Sequence, residues 1–289
     1  ELVAAVTALA PRLEIVAPER LRLELDKLMV VDDPSAGLWF LVDTGLAQEF
    51  LPELPGLRLE QDPIHHHKDV LAHTIAVVAK TGRLDAEGRP NKRVRLAALL
   101  HDVGKPKTRS FANGGVSFHH HEVVGARMAR ERLTALRYPN DEIDDIVQLV
   151  YLHLRFHTYA MGWTDAAVRR FVRDAGDLLP ELIELTRCDC TTRNQRKAER
   201  LSRRMDELEE RIAALAEQEE LAALRPDLDG TQVMDHLGIA PGREVGQALD
   251  FLMQLRLDEG PLGEDEAYAR LAAWWAARPS GDTPGSPAG

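Results

Sequence analysis

An all-α fold with one small β-hairpin is the class this sequence predicts, on three observations. Apolar residues recur at spacings of three and four through most of the chain. Strand-like runs flanking a turn occur once, around Asn113-Gly114-Gly115. Pro/Gly clusters divide the chain into successive helical segments, and nothing else suggests a sheet.

The segments follow in order. Residues 1–55 carry helical periodicity; Pro18-Glu19-Arg20 reads as a helix start, since Pro suits the first turn and Glu favours the positive end of the helix dipole. Leu21, Leu25 and Leu28 then form one apolar stripe. Pro52-Glu53-Leu54-Pro55-Gly56 reads as a linker into a second segment, 56–160, which holds nearly all the histidines and the hairpin, with Thr108 to Phe111 and Val116 to Phe118 as its strands. Residues 161–222 are helical again. There Leu201, Met205, Leu208, Ile212 and Leu215 form a heptad-like seam, too short to require a coiled coil and suited to a long helix packed on its own domain. A last helical segment, 223–278, precedes a Pro/Ser/Gly tail, 279–289, whose composition predicts disorder.

Composition sets the bounds. At 289 residues and 44% hydrophobic content the chain can bury a core and hold one to two domains. No apolar run approaches the roughly 20 residues of a membrane span, and no signal series opens the chain, so a cytoplasmic protein with no membrane partner is expected. Cys188 and Cys190 are too few and too close for a disulfide framework and read as reduced thiols beside Asp189. The net charge of -11 argues against a chain that coats nucleic acid everywhere and leaves local basic stripes to decide. Glu1 opens the chain in what reads as a helix already in progress, Leu2-Val3-Ala4-Ala5-Val6, the expectation for a piece of a longer parent.

His101-Asp102 ends the apolar run Leu96-Ala97-Ala98-Leu99-Leu100 and is followed by Val103-Gly104-Lys105, which puts two metal ligands at the tip of a buried helix. Successive helical residues point about 100° apart, so the pair can share one ion only in the wedge between them, and other helices must supply the rest. His73, His121, His153 and Asp189 are the candidates. Each alone reads more readily as a hydrogen-bonded core residue or a cap than as a ligand. The His101-Asp102 pair with its Gly104-Lys105 continuation is what favours a metal site. Of His119-His120-His121 at most one or two can be ligands, and His121, at a helix start, is placed to support a second ion; His65-His66-His67 reads as a surface patch. Imidazole and carboxylate donors without thiolate suit Mg, Mn, Fe, Co or Ni better than structural zinc. Such a divalent metal activates water against phosphoesters, with Asp102 as ligand and Lys105 either holding phosphoryl oxygens or serving as a helix C-terminal cation.

Arg187, Arg193, Arg196, Lys197, Arg200, Arg203, Arg204 and Arg211 crowd one stretch. From Arg193 to Arg204 the spacing places several on one face, which reads either as a polyanion-binding face or as a solvated one paired with Glu199, Asp206, Glu207 and Glu210. Gly238 to Gly246 looks like a turn into a helix, with Gly246 kept for close helix packing; Trp274-Trp275 reads as core.

With these residues in hand, the chain resembles the C-terminal part of a CCA-adding tRNA nucleotidyltransferase / poly(A) polymerase family protein, of the actinobacterial type with an HD domain. Ala17-Pro18-Glu19-Arg20-Leu21, Gly37-Leu38 and Val42-Asp43-Thr44-Gly45 resemble its neck region. His67-Lys68-Asp69-Val70 with His73-Thr74, Leu100-His101-Asp102-Val103-Gly104-Lys105-Pro106 and Gly115-Val116-Ser117-Phe118 with His121-Glu122 resemble the HD domain. Leu154-Arg155-Phe156-His157, Trp163-Thr164-Asp165, Arg187-Cys188-Asp189-Cys190-Thr191-Thr192-Arg193-Asn194 and Pro241-Gly242 extend the likeness. The resemblance implies a helical neck, a helical HD phosphohydrolase fold and a helical RNA-facing tail. It implies a parent that adds cytidine and adenosine to tRNA 3' ends, with an HD domain that hydrolyses phosphoesters such as 2',3'-cyclic phosphates. The implied metal set is His73, His101, Asp102 and Asp189, with His121 and His153 as partners. The donor chemistry suits Mg, Mn, Co or Ni, and the spacing of the basic stretch offers Arg193, Arg196, Lys197, Arg200 and Arg204 as the RNA contacts. The chain departs from the family in lacking a Gly-rich phosphate loop followed by paired aspartates, since Asp227-Leu228-Asp229 lies in a Pro/Gly loop. The polymerising site is therefore not expected here, while tRNA support and the HD site are. Two other readings stay open: a non-catalytic tRNA-binding module with a structural metal, and a stand-alone nucleotide phosphohydrolase. Oligomeric state is not legible.

Overall fold

A computed structural model describes residues 1–59, 69–82, 84–86, 88–112, 115–190, 195–219 and 225–278. His65 to His67, the turn residues 113 and 114, Arg193 and the 279–289 tail lie outside the described residues. The expected class is what forms: among the described residues there are helices throughout and one two-stranded antiparallel sheet. The chain divides into two compact units, Glu1–Met161 with Ala175–Asp206, and Gly162–Asp174 with Glu207–Gly289.

The first unit opens with α1 (Leu2–Leu9), α2 (Pro18–Met29), α3 (Ser35–Asp43) and α4 (Leu46–Phe50). Pro18 stands in the first turn of α2, as its fixed φ and missing N–H allow. The Pro52–Gly56 run, read above as a linker, is a packed turn, because Leu51, Leu54 and Leu57 are all buried. Hydrophobic spacing wins there over the Pro/Gly signal.

α5 (Val70–Lys80) and α6 (Lys92–Leu100) follow. The Asp69 side chain caps α5 by accepting from Leu71 N at 3.0 Å, and Asn91 caps α6 by accepting from Arg93 N at 3.0 Å. Every residue of α6 from Val94 to Leu100 is buried, the pattern of a central helix wrapped on all sides. Arg95, the one charge in that buried run, donates to the carbonyls of Met29 (2.9 Å), Val31, Asp32 (2.8 Å) and Thr81, and to Thr81 Oγ1 (3.2 Å). These bonds satisfy the guanidinium and fasten the end of α2 to α6.

A four-residue α7 (Lys105–Thr108) leads into β1 (Arg109–Ala112) and β2 (Gly115–Phe118), paired Arg109 to Phe118 and Ala112 to Gly115. α8 (His121–Ala135) and α9 (Asn140–Leu152) then pack on each other and α9 packs on α6, while α11 (Leu179–Asp189) packs on α5 and α6. A Cβ on Gly104 would lie 2.2 Å from the carbonyl oxygen of His121 and 2.7 Å from the N of Gly125, so only glycine lets the α6–α7 turn approach the start of α8 this closely. α12 (Gln195–Glu219) begins in this unit, with Met205 buried.

In the second unit, α13 (Gly230–Leu237), α14 (Arg243–Glu259) and α15 (Glu264–Ala276) enclose Leu228, Val233, Ala248, Leu252, Ala267 and Leu271, with Phe251 stacked on Trp274. Asp229 and Gln232 form a capping box on α13. Arg169, from α10 (Asp165–Ala175), donates to both carboxylate oxygens of Glu219 at 2.7 Å. Gly246 departs from expectation: a Cβ there would meet nothing within 4 Å, so close packing is not its reason. Among the described residues no helix is long and apolar enough to cross a membrane.

Candidate metal centre

The packing brings the six candidate ligands together, five of them at helix ends. His101 and Asp102 follow the last residue of α6, His121 opens α8, His153 follows α9 and Asp189 closes α11; His73 stands one turn into α5. A helix terminus projects side chains into the space where elements converge, and it leaves carbonyls free to orient them.

That orientation is visible in three imidazoles. His101 Nδ1 is 2.7 Å from the carbonyl of Ala98, His121 Nδ1 2.8 Å from that of Phe118, and His153 Nδ1 2.6 Å from that of Val150. Each carbonyl can only accept, so each Nδ1 donates and each Nε2 is turned inward. All three Nε2 atoms are buried without a hydrogen-bond partner. An unsatisfied buried nitrogen costs about 1–3 kcal/mol, and three facing one interior are lone-pair donors suited to a shared Lewis acid. The donor set therefore fits a divalent metal.

The ligand atoms form two groups, His73, His101 and Asp189, and Asp102, His121 and His153, the atoms of each lying within 4.8 Å of one another. His73 Nε2 is 2.9 Å from Asp189 Oδ1, and His101 Nε2 is 3.5 Å from the same oxygen. Asp102 faces both groups. Its Oδ2 is 3.3 Å from His101 Nε2 and 3.8 Å from His73 Nε2, while its Oδ1 is 3.3 Å from His121 Nε2.

Burial opposes charge on both carboxyls, but His101, His121 and Lys105 hold Asp102, and His101, His157 and His73 hold Asp189, well below the usual carboxylate range. Burial likewise disfavours a charged imidazole. At His101 the two carboxylates overcome it and push the group up to about 10, whereas at His153 burial and the neighbouring His101 push it down to about 3. Burial also raises Cys188 and Cys190 to about 11, so both remain thiols rather than thiolates and neither joins the ligand groups.

Lys105 is not at a helix C-terminus holding carbonyls; it starts α7 with Nζ 2.6 Å from Asp102 Oδ2. His157 is the neighbour that motif reading left without a role. Its Nε2 lies 3.8 Å from Asp189 Oδ2 with the side chain 46% exposed, and its position four residues after His153 was the available signal. His119 and His120 are exposed, His120 in the left-handed region at φ 59°, so of the three consecutive histidines only His121 reaches the centre. Of the basic series, Arg196, Lys197 and Arg200 are exposed and Arg204 is half-buried; Arg187 pairs with Asp206 and Arg211 with Asp165.

Comparison with known proteins agrees with this geometry. Residues 70–220 match the family model for the HD domain, and residues 1–57 that for the probable RNA and SrmB-binding site of polymerase A. The chain is 36% identical over 284 residues to the A-adding tRNA nucleotidyltransferase of Deinococcus radiodurans, covering 96% of this chain and 62% of that protein. It is 36% identical over 269 residues to the CC-adding tRNA nucleotidyltransferase of Thermus thermophilus, covering 91% and 58%. A multifunctional CCA protein of Legionella pneumophila is 30% identical over 142 residues, 48% of this chain and 33% of that one. The chain thus spans about three fifths of the length of the first two relatives. An HD centre preceded by a segment that matches the polymerase-type RNA-binding model, in a chain similar to both A-adding and CC-adding tRNA nucleotidyltransferases, identifies the family by its centre: the chain belongs to the HD domain family.

Proposed function

We propose that this chain is a divalent-metal-dependent phosphohydrolase that works on the phosphoester end of tRNA, in the cytoplasm, as part of a tRNA nucleotidyltransferase-type protein. In this reading residues 1–55 are neck helices that support tRNA, 56–160 with the extension to 222 build the hydrolytic site, and 223–278 form a helical tail. One observation carries the proposal: Asp102 presents one oxygen to each of two ligand groups, beside the buried Nε2 atoms of His101, His121 and His153, which make no hydrogen bond.

His73, His101, Asp102 and Asp189 would hold one divalent ion, and Asp102, His121 and His153 a second; Mg, Mn, Co or Ni suits these donors. When bound, such ions acidify water toward neutrality and neutralise phosphoryl charge. The chain's own residues do the rest. The backbone carbonyls of Ala98, Phe118 and Val150 fix the imidazoles in the donor tautomer. Lys105 sets the rotamer of Asp102 and adds a cation beside the phosphoryl position. His157, half-exposed beside Asp189, can hand a proton to the departing alkoxide and recover it from solvent.

The test is hydrolysis of 2',3'-cyclic AMP by the purified chain with each of the four metals, alongside Asp102→Ala and the isosteric Asp102→Asn. Turnover should require metal and fall at least 100-fold in both variants, while Asp102→Asn keeps its circular dichroism. If the native chain turns over nothing with any metal, the hydrolytic reading is wrong and tRNA support is what remains.

A further inference from the structure

We infer that the first half of α12 is a binding track for the phosphates of a single-stranded RNA chain, leading to the metal centre, so that the centre takes RNA ends in preference to free nucleotides. The preference for RNA ends rests on the hydrolytic reading above; the binding track does not.

The charges of α12 are sorted along its length. Residues 195–204 carry five basic side chains and one acidic, and residues 205–219 six acidic and one basic. A helix left to its own electrostatics takes the opposite order, acids toward the positive N-terminal end and bases toward the negative C-terminal end, and it prefers Glu before Lys or Arg in its pairs. The arrangement therefore costs α12 stability, and pairing does not recover the cost. Among the described residues Arg196, Arg200, Arg203 and Arg204 make no ion pair, although Glu207 stands four positions after Arg203. Spacings of four, three and one put these four on one stripe, to one side of the Leu201 and Met205 seam. An outward row of unpaired guanidiniums at the positive end of a helix is a surface whose partner is a row of anions.

Position selects the kind of polyanion. Arg187 and Cys190 at the end of α11 and Ala198, Leu201, Ser202 and Met205 of α12 line one small cavity of about 90 Å³, so the basic half of α12 is seated against the residue that follows Asp189. A chain of phosphates bound along the stripe would then lie on the helix that packs against Cys190, the neighbour of the candidate ligand Asp189. The segment that matches the RNA-binding model cannot supply this charge, because residues 1–57 hold ten acidic and four basic side chains.

The experiment uses the full chain and the triple variant Arg196→Gln, Arg200→Gln, Arg203→Gln, all three exposed. Binding of a short labelled RNA ending in a 2',3'-cyclic phosphate is measured by anisotropy across a salt series, and hydrolysis of that RNA is compared with hydrolysis of 2',3'-cyclic AMP. Removing three phosphate contacts should lower the slope of log K against log salt by about 2 and weaken binding roughly 10- to 100-fold near 0.1 M salt. KM for the RNA should rise with kcat unchanged, and turnover of the mononucleotide should not move. Native-like RNA binding by the variant would overturn the inference. RNA binding that responds as expected in a chain that hydrolyses neither substrate would instead sink the hydrolytic reading and leave the track standing.

Discussion

His153 and His101 are both fully buried, a few ångströms apart, and are driven in opposite directions, which gives the centre a pH signature of its own. His153, depressed to about 3, stays neutral in the folded chain while the unfolded chain takes up a proton below about 6.5, so stability is full above that pH and is lost as pH falls toward 3. His101, raised to about 10, contributes stability that is fully present below about 6.5 and is lost as pH rises toward 10. Asp102 and Asp189, both lowered, lose theirs only below the ordinary carboxylate range. With chelator present, the melting temperature should therefore peak near pH 6 to 7 and fall on both sides. A saturating divalent ion held by these residues would compete with the proton at His101 and should flatten the alkaline limb. A melting temperature in chelator that climbs steadily from pH 6.5 to 9 would contradict this. His101, Asp102 and their upstream and downstream partners were legible because an apolar helix that ends in His-Asp has few other uses. The sharing of Asp102 between two groups was not, since it depends on where each of its two oxygens points.

At the scale of elements, the centre is set by how closely one turn meets one helix. Gly104→Ala would drive a methyl group into the backbone of His121, and the relief is a shift of the start of α8, which carries His121 away from Asp102. We expect a cost of about 1–3 kcal/mol. Bound metal per chain, read by atomic absorption after gel filtration, should fall toward half, with the group of His73, His101 and Asp189 retained. Gly125→Ala is the matched control, because its Cβ would find only ordinary contacts at 3.4 Å and beyond, and it should keep the native metal content. Equal stoichiometry in the two variants would show that the approach of α8 does not position His121. The helices and the hairpin were readable from periodicity and from the Asn-Gly-Gly turn. The packed Pro52–Gly56 turn and the slack around Gly246 were not, because Pro and Gly mark a change of direction without saying what lies beside it.

Across the whole molecule, what the linear reading misses is the long-range tie. Arg95 looks like an error inside an apolar helix until the carbonyls of Met29, Val31, Asp32 and Thr81 are seen to converge on it. Arg95→Met removes the donor and leaves those acceptors buried, so it should destabilise by about 3–5 kcal/mol, read as a lower urea midpoint at unchanged slope. A loss below about 1 kcal/mol would mean that water or rearrangement serves those carbonyls equally well. The candidate ligands make a tie of the same reach. His73 and Asp189 meet across 116 positions of sequence, so an ion held between them closes a loop that the unfolded chain would otherwise leave open. A crosslink over that span, kept through unfolding, removes chain entropy worth about 4–5 kcal/mol. Seen this way the ion is also a reversible staple: metal supply would set how long the folded chain survives a protease, whether or not any phosphoester is present.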